Sequence, residues 1–202
     1  MAITVKQFEQ LQARLHGDKR VPSPTVEGAM RPVSSKVLIV IGIDPSLRGT
    51  GYGVIQGGKP SPRALAHGTI KCPAGWERSR CLAQIFSTLR DVIARHQPDV
   101  CAIEGLFFAQ NLQTALIMGE ARGAALTALA EAGLDIFEIA PRKVKQALIG
   151  YGAAQKFAVA KMVQRLLQLP EPPAPDAADA LAIALAHLHD ADRYGLRATK
   201  QV

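Results

Sequence analysis

Residues 37–56 read VLIVIGIDPSLRGTGYGVIQ. The run Val37–Ile43 is apolar, β-branched and short, the pattern of a strand covered on both faces. Asp44-Pro45 ends it, a glycine turn follows, and Gly51–Gln56 resumes as a second strand. An acid at the end of a buried strand has several readings: a turn residue before proline, a phosphate-loop acid, or a ligand at the rim of a sheet. Downstream, Arg63–Lys71 alternates as a third strand, and the short links make the three an antiparallel meander. Arg78–His96 carries Leu82, Ile85, Leu89 and Ile93 at helical spacing and is stopped by His96-Gln97-Pro98. Val100–Glu104 is a fourth strand that again ends on an acid. The spacing then predicts a long helix over Asn111–Ala132, a strand over Asp135–Ile139, and a helix opened by Pro141 and reaching Ile149. Further helices follow over Lys156–Leu169 and from Asp176 to His189. Three strands, helix, strand, helix, strand and helices compose an α/β domain with a mixed sheet.

The chain has 202 residues, enough for one domain with a substantial core. Its 48% hydrophobic and 20% charged residues fit an ordinary globular protein and exclude a disordered or fibrous one. No apolar run nears the roughly 18 residues of a membrane span, and the N-terminus lacks a signal-peptide core; a cytoplasmic location is expected. Cys72, Cys81 and Cys101 are odd in number and lack CxxC spacing, so reduced thiols are expected, with Cys101 in a strand. Residues 1–36 hold one short amphipathic stretch, VKQFEQLQARL, and a Pro/Ser/Gly-rich linker. They are read as a flexible extension, with Met30 as an alternative start. Residues 37–192 form the domain and 193–202 a basic tail. The formal net charge of +7 suits a polyanionic partner.

Four acids stand out by position. Asp44 and Glu104 end apolar strands, where open α/β sheets gather ligands. Asp176 and Asp179 are at i and i+3 in DAADALAIALAHL and share one helix face. The apolar remainder of that helix brings the pair to the sheet. Such a cluster repels itself, and hard divalent cations resolve the repulsion. Taken singly, Asp176 could be an N-cap and Asp44 a turn residue, whereas Glu104 in a buried strand needs a partner.

The segments GIDPSLRGTGYGVI, AIEGLFFAQN, GEARG, PRKVKQALIGYGAAQK and PDAADALAIAL, in this order and spacing from Val37 to His189, resemble the RuvC Holliday-junction resolvases. The resemblance implies an RNase H-like fold with a five-stranded mixed sheet, acting as a homodimer that places paired nicks across four-way DNA junctions in recombination and repair. It places the acidic tetrad on Asp44, Glu104, Asp176 and Asp179, with two Mg²⁺ per active site and Mn²⁺ able to substitute. Ser46-Leu47 departs from the family's common Gly-Ser after Asp-Pro without removing a ligand. Phe107 resembles the family's base-stacking aromatic, with core packing the alternative. Lys145 and Lys156 match basic positions near the active site; Arg142 shares a helix face with Lys145, and a solvated basic face is the alternative for both. The helix NLQTALIMGEARGAALTALAEAG has more apolar surface than one sheet face needs and suits a partner helix. RuvA and RuvB are implied partners. His187 and His189 splay apart on a helix and read as an exposed or hydrogen-bonded pair.

Other functions compete. An RNase H-like nuclease could act instead on RNA–DNA hybrid or precursor rRNA. GIDPSLRGTGYGV also resembles the first phosphate loop of actin-like and sugar-kinase-like ATP-binding proteins, but no second acidic, glycine-containing loop follows. A non-catalytic junction binder would not need all four acids.

Overall fold

The computed structural model describes residues 37–58, 60–105, 111–153, 155–194 and 200–202. Six strands form one sheet: β1 (Ile39–Asp44), β2 (Gly49–Gln56), β3 (Arg63–Lys71), β4 (Val100–Glu104), β5 (Asp135–Ile139) and β6 (Lys200–Gln201). The spatial order is β3-β2-β1-β4-β5-β6. β1, β2 and β3 make the antiparallel meander, β1, β4 and β5 run parallel, and β6 returns antiparallel to β5. The expected five-stranded mixed sheet is therefore present, extended at its edge by two residues of the basic tail.

Side chains alternate across β1 and β4, so each strand feeds two cores. Ile41, Ile43, Cys101 and Ile103 pack beneath α1 (Arg78–His96) and α2 (Leu112–Glu131). Val40, Val100 and Ala102 face the other way, toward α3 (Pro141–Ile149), α4 (Lys156–Leu166) and α5 (Pro175–Tyr194). The buried strand predicted from the opening run holds: Val40, Ile41 and Ile43 have no exposed surface.

α5 lies almost on the sheet backbone. It buries Ala177, Ala178, Ala180, Ala182, Ala184 and Ala186, and the small side chains permit the approach. Gly42 and Gly51 complete it from below. A methyl group on Gly42 would strike the carbonyl oxygen of Ala180, and one on Gly51 that of Asp176.

Several element ends differ from the sequence reading. β2 starts at Gly49, because its pairing with β3 begins there, opposite Lys71. Asn111 lies outside its helix as the cap, its Oδ1 accepting from the Thr114 amide at 2.8 Å. α4 stops at Leu166, short of Leu169, since Gln168 takes a left-handed φ of 52°. α5 begins at Pro175 with Ala174 accepting from the Ala178 amide, so Asp176 sits within the first turn and is not the cap. His187 is 1% exposed, and neither ring nitrogen has a hydrogen-bond partner among the described residues, contrary to the expected exposed or hydrogen-bonded histidine. Its ring packs on Phe137 at 5.0 Å, and burial holds its pKa below the ordinary value. The three cysteines are free, and Cys101 is buried in β4 as expected; Cys72 and Cys81 are buried as well.

Candidate active site

The two-residue period that divides the cores also aims the first two acids. Asp44 follows Val40 and Gly42 on one face of β1; Glu104 follows Val100 and Ala102 on the same face of β4. Parallel pairing of Ile43 with Ile103 leaves the two carboxylates side by side at the carboxyl ends of their strands. That face is the one α5 covers, and α5 presents Asp176 and Asp179 from its first turns. All four acids line one cavity of about 340 Å³, together with Lys145 of α3 and Lys156 of α4.

The turn after Asp44 is braced from both sides. Thr50 donates to the Ser46 carbonyl at 2.6 Å and accepts from the Ser46 amide at 3.2 Å. Arg48 ties the turn to the segment before α1, donating to the carbonyls of Pro73 at 2.6 Å and Trp76 at 3.0 Å.

Electrostatics in the cavity are dominated by crowded, partly desolvated carboxylates. Burial, then the neighbouring Glu104, pushes the Asp44 pKa up to about 8. A hydrogen bond between the two carboxyls favours the protonated Asp44 and only partly offsets the rise that burial gives the Glu104 pKa. On the helix side, Lys156 Nζ lies 3.0 Å from Asp179 Oδ2, a bond that raises the lysine pKa. Among the described residues, no group of three or more acidic, histidine or cysteine side chains is placed as it stands to hold a metal ion. The donor set fits a hard divalent cation nonetheless: Mg²⁺ takes one or two carboxylates and keeps several waters. A cation there would also displace the proton that Asp44 and Glu104 share.

The structure thus brings together the four predicted acids with Lys145 and Lys156. It does not bring Arg142, whose side chain lies against Gly152 in the loop after α3. Phe107 lies outside the described residues.

One site-building residue escaped the sequence reading. Arg122, only 7% exposed, donates to the backbone carbonyl of Glu104 and, at 2.7 Å, to Glu138 Oε2. It thereby fixes the end of β4 from α2 and ties it to β5. The signal was a lone arginine in the small-residue run GEARG, yet its partners are distant in sequence.

A family model described as "Crossover junction endodeoxyribonuclease RuvC" matches residues 40–187. The chain belongs to the RuvC family. The RuvC protein of Alkalilimnicola ehrlichii is 45% identical over 153 residues, covering 76% of this chain and 92% of the relative. That of Akkermansia muciniphila is 47% identical over the same length and shares of the two chains. The solved structure of Thermus thermophilus RuvC in complex with a Holliday junction substrate superposes with a TM-score of 0.75 at 36% identity, covering 82% of this chain and 99% of the other. The sheet and its flanking helices are thus those of the RNase H-like fold. No described helix is long and apolar enough to cross a membrane.

Proposed function

We propose that the protein is a structure-specific endonuclease that resolves four-way DNA junctions by paired, symmetric nicks, in recombination and repair. The observation that carries this reading is the meeting of four carboxylates and two lysines in one open cavity. RuvC relatives are named for crossover junctions, which supports the substrate. In this reading residues 37–192 form the nuclease domain.

Asp44 and Glu104 would hold divalent cations from the sheet, and Asp176 and Asp179 from α5. Two Mg²⁺ ions, when bound, would lower the pKa of the attacking water and offset charge on the leaving oxygen. Gly49 keeps the approach to Asp176 open, since a Cβ there would lie 3.0 Å from Asp176 Oδ2. Lys156, 80% exposed at its side chain, can turn from Asp179 to the scissile phosphate and bind its developing charge. Lys145 adds a second cation on the same wall. The products expected are a 5′-phosphate and a 3′-hydroxyl.

Paired nicks need two sites. The outer face of α2 exposes Leu112 and Leu116 at 77% and 59%, and methyls on Gly119 and Gly123 would meet nothing. We assign this face to a homodimer contact, and place RuvA and RuvB as partners on the family resemblance. Cleavage of a mobile four-way junction with Mg²⁺ or Mn²⁺ is the test, with linear duplex and RNA–DNA hybrid as competitors. Symmetric nicks by Asp44→Asn, or preference for the hybrid, would overturn the reading.

A further inference from the structure

A second cavity, of about 230 Å³, opens on the far side of the Lys156–Asp179 ion pair. Its walls are Phe157 at the start of α4 and Pro172, Pro173 and Pro175 at the approach to α5; Lys156 and Asp179 line both cavities. The prolines offer rigid apolar surface and no amide donors. Phe157 is 68% exposed and forms the aromatic wall of the slot. Lys161 Nζ lies 4.6 Å from the ring centroid, and Lys156 lines the slot itself. A flat, rigid, apolar slot bordered by ammonium groups and joined to a phosphate-handling cavity fits an aromatic group that carries phosphate. It does not fit a neutral aliphatic ligand, which gains nothing from the lysines.

We propose that this slot is a nucleobase subsite, which takes the base next to the cleaved phosphate and stacks it on Phe157. The inference rests on the phosphodiesterase reading of the acid cavity, because Lys156 and Asp179 form the wall between the two. Stacking of one base on an aromatic ring is worth about five- to a hundredfold in affinity. Phe157 is a surface residue, so its replacement leaves the core intact.

Two measurements on the full chain test the proposal. The first uses Asp44→Asn protein, metal-free, bound to four-way junctions carrying 2-aminopurine at each position around the crossover in turn. One position should show strong quenching on binding; Phe157→Ala on that background should remove it there alone, and Phe157→Trp should keep it. The second uses the metal-loaded wild-type enzyme on junctions with an abasic site at that position. Their kcat/KM should fall about five- to a hundredfold, and Phe157→Ala should cut intact and abasic junctions equally. Quenching at no position, or an abasic penalty unchanged in Phe157→Ala, would overturn the subsite. Phe157-dependent quenching without any metal-dependent cleavage would uphold the subsite and sink the nuclease reading instead.

Discussion

Asparagine in place of Asp44 removes a charge while keeping a donor for Glu104, and metal-free protein should become more stable as a result. The Asp44 pKa rises from 3.8 to about 8 on folding. An acid shifted this way contributes its full stability below the ordinary value, and the contribution is lost as pH climbs toward 8. Taken whole, the rise corresponds to about 5.7 kcal/mol at about 1.36 kcal/mol per tenfold. The cavity is open to water and shares its proton between two acids, so solvent screening cuts this to about 1–3 kcal/mol. For a domain of this size that is roughly 3–10 °C in Tm. Thermal and urea melts in EDTA, from pH 4 to pH 8.5, measure it. The advantage of Asp44→Asn should be near zero at pH 4 and full near pH 8.5. Adding Mg²⁺ should then stabilise the wild type by about 2.7 kcal/mol at a hundredfold excess over Kd, seen as a higher Tm, and leave the variant nearly unmoved. Equal stability at pH 8.5, or a gain independent of pH, would refute the picture of a strained acid pair.

Arg122→Met should destabilise the protein by about 3–5 kcal/mol, because Glu138 and the Glu104 carbonyl lose a buried partner; adding Glu138→Gln should restore part of that in denaturant melts. Lys156→Gln should lower kcat by about 10²-fold or more. It should also tighten Mg²⁺ binding slightly, within about fivefold, by freeing Asp179 from an exposed ion pair, so titration calorimetry and kinetics move in opposite directions. Gly51→Ala should force α5 off the sheet, costing about 1–3 kcal/mol and at least tenfold in cleavage, while junction binding persists in a gel-shift assay.

Much of the site could be read in the sequence because its signals are local. VLIVIGID announces a buried strand ending in an acid, CAIE a second, and DAAD fixes two carboxylates on one helical face whatever surrounds them. Lys145 and Lys156 were legible through the family resemblance. What stayed hidden depends on contacts far along the chain. Arg122 meets Glu104 and Glu138 through folding alone, and nothing in GEARG names those partners. The dipeptide Lys200-Gln201 has no strand character of its own; pairing with Phe137 and Glu138 creates β6. Arg142 and Lys145 share a helical spacing, but only Lys145 reaches the cavity, because the loop at Gly152 receives the arginine. The buried ring of His187, whose nitrogens have no hydrogen-bond partner among the described residues, was invisible too, since an alternating HxH says nothing about which side of α5 meets the sheet.

The four acids are drawn from positions 44, 104, 176 and 179, and the last two arrive only when α5 docks across Gly42 and Gly51. β1 to β5 all precede α5 in the chain, so the strand-end pair is made before the helix that faces it. A nascent or clipped chain that ends before Asp176 has the strand-end pair with nothing facing it. Under the proposed reading, the chemistry of the cavity is in this way tied to the presence of α5.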